Sequence, residues 1–162
     1  MKTEVLLCLI FSMTWITCSP GDSGNEALEL FTENLGYNEK LAELLDADEY
    51  GMSTYVIAFL KTGPNRDQDS LTAVKLQKAH MDNIQRMAEQ GELVLAGPFL
   101  DNGELRGIYI FNVTSLEEAK KLTETDPAIQ AGRLAMELHP WYGSAVLKKL
   151  NHFHKAVEKT SF

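Results

Sequence analysis

Leu93-Val-Leu-Ala-Gly-Pro-Phe99 and Gly107-Ile-Tyr-Ile-Phe-Asn-Val113 are two β-rich runs joined across Asp101-Asn-Gly103. Turn chemistry between two such runs predicts a β-hairpin, and what flanks this hairpin decides the fold. Upstream, Asp69-Ser70 offers a cap for a helix over Leu71–Gln90, which Gly91 stops. Before it, Thr54-Tyr-Val-Ile-Ala-Phe-Leu-Lys61 reads as a strand closed by Gly63-Pro64-Asn65. Downstream, Ser115 with Glu117 and Glu118 starts a second helix, ending before Asp126-Pro127. Leu134 to His139 reads as a fourth strand, and Gly143 to Lys159 as a closing helix.

The order β-α-β-β-α-β is that of a ferredoxin-like split βαβ unit, an α+β fold with two helices on one face of its sheet. The first and third strands are apolar on both faces: Tyr55, Ile57 and Phe59 against Val56, Ala58 and Leu60, and Ile108 and Ile110 against Tyr109 and Phe111. Two helices cover one face, so something else must bury the other. Two sheets packed face to face, a dimeric α+β barrel, would satisfy both, and a homodimer is expected. The closing helix folding back over the sheet is the competing solution.

Charge is unevenly placed along the 162 residues. From residue 53 onward thirteen bases and thirteen acids cancel, while residues 19–52 set Lys40 alone against nine acids. The whole net charge of −8 therefore sits in that segment. A neutral domain behind an acidic segment has no basic footprint for nucleic acid, nor for anionic lipid. Both cysteines, Cys8 and Cys18, precede residue 19. A disulfide framework, a thiolate metal site and a Cys nucleophile are thus excluded from the folded domain.

Lys2 followed by the largely apolar run Val5–Ile16 fits the core of an export signal and is too short to span a membrane. The run ends at Thr17-Cys18-Ser19 and turns into Pro20-Gly21-Asp22-Ser23-Gly24, a flexible tether. A signal ending at a Cys before such a tether resembles a bacterial lipoprotein signal. The resemblance implies lipidation of Cys18 and attachment to the cell envelope through that anchor alone. A plain secretory signal, or a buried apolar helix, are the alternatives. In Asn25–Tyr50, Leu28, Phe31 and Leu35, then Leu41, Leu44 and Leu45, recur at helical steps broken by Gly36. The expected organisation is an export signal over 1–17, a tether and acidic, partly helical spacer over 18–52, the α+β domain over 53–147, and a C-terminal helix over 148–162.

On the first long helix Leu76, His80, Ile84 and Met87 share one stripe. His80 is thus aimed at the sheet, where a polar ring needs a partner. Asp126 is the carboxylate that the topology brings alongside. A His–Asp pair can orient an imidazole for general acid/base chemistry, and can equally be a satisfied core pair behind an ordinary Asp-Pro helix stop. Arg133, Ala135, Glu137 and His139 alternate on one face of the fourth strand, so Arg133 and His139 are ligand-binding candidates. Gly97 and Pro98 are further candidates, because a backbone without side-chain bulk lets a ligand approach closely. His152 and His154 lie two apart on a helix and do not share a face, so no metal is expected there. Neither a phosphate-cradling loop nor a nucleophile elbow is present.

The stretch Ala79-His80-Met-Asp-Asn-Ile-Gln-Arg-Met-Ala-Glu-Gln-Gly-Glu-Leu-Val-Leu-Ala-Gly97-Pro98-Phe99 resembles the YciI (YCII-related) family. So do Ser115-Leu-Glu-Glu-Ala and Asp126-Pro127-Ala-Ile-Gln-Ala-Gly132, within a resemblance over roughly 53–145. It implies a dimeric ferredoxin-like α+β barrel, a small pocket between sheet and helices, and a catalytic dyad at His80 and Asp126. One branch of the family dehydrochlorinates a chlorinated hydroxyhydroquinone, distant relatives isomerise muconolactone, and most members have no assigned substrate. The export signal, acidic spacer and closing helix depart from its compact cytoplasmic members. Two functions follow as expectations. One is an acid/base enzyme of isomerase or lyase type, needing no cofactor, on a small cyclic or aromatic molecule. The other is a non-enzymatic envelope module that binds a small hydrophobic ligand or haem, or acts by dimer assembly only.

Overall fold

A computed structural model describes residues 36–160. The expected export signal, Cys18 and the first half of the acidic spacer lie outside the described residues. Inside them, the helical pattern of the spacer's second half forms α1, Glu39–Leu44, capped by the Asn38 side chain. Leu45, just past its end, is buried.

Four strands follow: β1 (Met52–Thr62), β2 (Leu93–Pro98), β3 (Leu105–Phe111) and β4 (Leu134–Ser144). They form one antiparallel sheet in the order β2-β3-β1-β4, the ferredoxin-like arrangement. Helix α2 (Ser70–Glu89) begins where Asp69 accepts the N–H groups of Leu71 and Thr72. Helix α3 (Leu116–Thr123) begins at a reciprocal cap, with Ser115 accepting from the Glu118 N–H while its hydroxyl donates to the Glu118 carboxylate.

Asp126-Pro127, expected as a stop, is also a start. The carboxylate of Asp126 caps α4 (Pro127–Gln130), and Pro127 occupies its first turn, where a missing N–H costs nothing. β4 also runs on past His139. Pro140 pairs with Val56 inside the strand, which is tolerated because β4 is a sheet edge with one side free of ladder bonds. The closing helix accordingly starts late: a 3₁₀ segment, Ala145–Lys149, leads into α5 (Leu150–Val157).

Strand alternation sorts the apolar residues onto two faces. Val56, Ala58, Leu60, Tyr109 and Phe111 form the main core with Leu93, Met87 of α2 and Ala119 of α3. Tyr55, Val94 and Ile110 form a smaller core on the other face, with Ile57, Leu95, Trp141 and Leu147 around it. The C-terminal segment therefore covers part of the second face. Asn151 fastens α5 there, its amide donating to the Leu93 carbonyl at 2.6 Å. Phe59 and Ile108, paired across β1 and β3 on that face, are half-buried.

Candidate active site

The buried line of α2 is His80, Asn83 and Met87, at helical spacing. Met87 packs into the core, whereas His80 and Asn83 meet the junction between α3 and α4. His80 Nδ1 lies 2.6 Å from Asp126 Oδ2, with His80 7% exposed and Asp126 fully buried. The other carboxylate oxygen accepts the Ala128 N–H at 2.8 Å. A carboxylate only accepts, so Nδ1 carries a proton, and in the neutral ring Nε2 is then the acceptor. Tyr109 faces that nitrogen, its hydroxyl 3.4 Å from Nε2 and its ring stacked on the imidazole. Burial, and then the Asp126 charge, push the Tyr109 phenol far above its usual range, so it stays protonated and acts as donor.

Asn83 and Arg86 hold the junction in place. Arg86 donates to Asn83 Oδ1 at 3.0 Å and to Thr125 Oγ1 at 3.1 Å, tying α2 to the residue before Asp126. A second seam lies between the loop after β1 and the turn before β4. There the N–H of Gly63 donates to the Arg133 carbonyl, and that of Asn65 to the Gly132 carbonyl.

These seams frame a pocket of about 250 Å³ lined by Leu60, Arg66, Gln77, His80, Pro98, Arg106, Ala128, Arg133 and Leu134. Its volume lies just below the range of about 300–1,000 Å³ usual for small-molecule pockets. A second cleft of about 260 Å³, near Asp48 and Tyr142, is more open. There Asp48 already accepts from the Tyr142 hydroxyl and from the N–H groups of Tyr50 and Met52. The His80 ring, paired with Asp126, lies at the first pocket. Among the described residues no group of three His, Cys, Asp or Glu side chains could hold a metal ion.

The structure places the remaining candidates unevenly. Pro98 lines the pocket. Gly97 instead pairs with Ile108, whose face of the sheet points away from His80. Arg133 and His139, expected on one strand face, are separated. Arg133 precedes β4, and its N–H donates to Ala128 as part of the turn after α4, so strand alternation does not apply to it. Its side chain joins the pocket, donating to Gln68 at 3.0 Å. His139 lies across from Ile57 on the second face, bonded to Glu137 and edge-on to Phe59. Arg66 and Arg106 are pocket residues that sequence reasoning missed. Both sit in connections or at a strand end, where no periodicity announces a shared site.

An antiparallel ferredoxin-like sheet under helices, with a buried His–Asp pair beside a polar pocket, defines the class as an α+β domain. Residues 55–141, just over half of the chain, match the family model of the YCII-related domain, and the chain belongs to that family. No curated protein matches it. Among solved structures it is similar to 5-chloro-2-hydroxyhydroquinone dehydrochlorinase (TftG) from Burkholderia phenoliruptrix AC1100, in complex with 2,5-dihydroxybenzoquinone. That similarity has a TM-score of 0.41 and 21% identity, covering 55% of this chain and 93% of the other.

Proposed function

We propose that the protein is an acid/base enzyme of lyase or isomerase type, acting without a cofactor on a small cyclic or aromatic organic molecule. One observation carries this reading: His80 is held by a fully buried carboxylate through Nδ1, while its ring lines the pocket. Nε2 takes a proton from a carbon or hydroxyl of the substrate, and Asp126 stabilises the imidazolium that forms. Return of that proton to a second atom completes an isomerisation. In an elimination the electron pair of the broken C–H or O–H bond forms the new π bond, and the leaving group departs as an anion with the electron pair of its own bond to carbon. Neither route oxidises or reduces the substrate.

The test is hydrogen–deuterium exchange into enolisable lactones and hydroxyquinols in D₂O, followed by NMR. Wild type should catalyse exchange into at least one of them, and His80→Gln should slow it by about 10²- to 10⁴-fold. Binding without exchange, unaffected by His80→Gln, would sink the enzyme and leave a binding module.

Two further proposals concern where and how the domain works. Copies pair through the half of the outer sheet face around Phe59 and Ile108, which the C-terminal segment leaves half-buried. Sedimentation equilibrium should return twice the monomer mass, and a monomer that persists at high concentration contradicts pairing. The chain is exported and anchored through Cys18. Its support is the signal-like sequence before Cys18. Cells fed radiolabelled palmitate should label the full chain but not Cys18→Ser, and equal labelling of both would remove the anchor.

A further inference from the structure

Arg66, Arg106 and Arg133 come from three separate parts of the chain: the loop after β1, the start of β3, and the turn before β4. All three line the pocket that holds His80. Among the described residues, the one arginine ion pair joins Arg86 to Glu92, so none of these three is matched by a carboxylate. Arg66 gives one N–H to the Arg133 carbonyl at 3.2 Å, and Arg133 gives one to Gln68 at 3.0 Å. Among the described residues the Arg106 side chain makes no hydrogen bond. A guanidinium has five N–H donors, so most of the donor capacity at this wall is unspent.

Clustering three permanent positive charges works against folding. Desolvation lowers the pKa of Arg66, and the charges of Arg133 and Arg106 lower it further. A cluster kept for packing alone would be expected to include a neutralising acid, as Lys61 has in Glu137 on the other face. Here the polar side chains beside the arginines are the neutral Gln68 and Gln77, and His80.

We infer that Arg66, Arg106 and Arg133 form a binding site for the acidic group of a small organic acid, seating its carbon skeleton against His80. The planar forks suit a pair of coplanar oxygens, as in a carboxylate. The seating against His80 deepens the acid/base reading and rests on it. The anion site itself does not.

The test is calorimetric titration of the full chain with benzoate, with benzamide as its uncharged counterpart, and with inorganic phosphate. Benzoate should bind at least tenfold more tightly than benzamide, and added salt should weaken it. Arg66→Gln, Arg106→Gln and Arg133→Gln should each weaken benzoate by roughly ten- to a hundredfold. Arg66→Gln and Arg106→Gln should melt at or above the wild-type temperature, because each relieves repulsion. That combination separates a binding role from a structural one. His80→Gln should keep benzoate binding while losing proton exchange. Equal binding of benzoate and benzamide, no benzoate binding at millimolar concentration, or indifference to all three arginine variants would overturn the site. Phosphate binding more tightly than benzoate would overturn the organic acid as its occupant. Arginine-dependent benzoate binding with no exchange into any substrate would remove the acid/base reading alone.

Discussion

A Cβ placed on Gly63 would lie 2.2 Å from the carbonyl oxygen of Gly132, so the backbones of these two residues meet with no room for a side chain. Gly132 itself has φ +68°, in the left-handed region. Gly63→Ala must push apart the seam that carries Arg66 on one side and Arg133 on the other. It should cost about 1–3 kcal/mol in chemical denaturation, the usual range for forced overpacking. Benzoate binding should fall with it. Wild-type stability in Gly63→Ala would show that the seam yields freely.

Asp126 does two jobs with two oxygens, and two substitutions separate them. Asp126→Ala removes both the cap on α4 and the partner of His80, and should lose about 2–4 kcal/mol. Asp126→Asn keeps an oxygen for the Ala128 N–H but places an amide group opposite Nδ1. The imidazole then favours the other tautomer, with its proton on Nε2 and no lone pair for the pocket. Its stability loss should be smaller than that of Asp126→Ala, while proton exchange falls by about 10²- to 10⁴-fold. Parallel losses of stability and exchange in the two variants would mark the pair as architecture.

Tyr109 sets a limit at alkaline pH. Below about pH 10, the ordinary tyrosine value, folded and unfolded chains both keep its proton. Above that, the unfolded chain releases the proton while the buried phenol retains it, so stability falls as pH rises. Tyr55, raised by burial, and Tyr142, raised by its bond to Asp48, act in the same direction. Denaturant titrations between neutral and strongly alkaline pH should show this slope, and Tyr109→Phe should make it shallower. An unchanged slope would mean that Tyr109 ionises as readily in the fold as outside it.

The C-terminal segment is part of the folding unit rather than an appendage. Leu147 packs on the core of Tyr55, Val94 and Ile110, and the Lys148 ammonium donates to the Leu45 carbonyl at 2.8 Å. Leu147→Ala should destabilise the domain by about 1–3 kcal/mol, given that Leu147 is half-buried. A deletion from residue 145 onward should expose Tyr55, Val94 and Ile110 and increase self-association, measurable by light scattering. A monodisperse, equally stable truncation would contradict this.

The α+β order was legible in the sequence because each signal was local: the cap at Asp69, the cap at Ser115, the Asp-Asn-Gly turn, the alternation of Tyr55 to Leu60. His80 and Asp126 were legible as a pair because a helix stripe and an Asp-Pro junction identify themselves within a few residues. Pro140 misled, since a proline argues against a strand unless the strand is an edge, and edge position follows from sheet order. Arg133 misled for a related reason: the last turn of α4 claims its N–H, so the alternation of β4 starts one residue later. The meeting of Arg66, Arg106 and Arg133 follows from tertiary structure alone. Nothing in the separate neighbourhoods of the three foretells it.

The two seams around the pocket divide its labour. The His80–Asp126 pair is fixed from one side, by α2 and the α3–α4 junction, through Asn83, Arg86 and Thr125. Two of the three arginines sit on the opposite seam, in the loop after β1 and the turn before β4, and the third stands at the head of β3. Rewriting the short stretch from Gly63 to Gln68 would therefore alter the arginine wall while leaving the His80–Asp126 pair untouched. On the proposed function, selectivity and reactivity are separately inheritable traits.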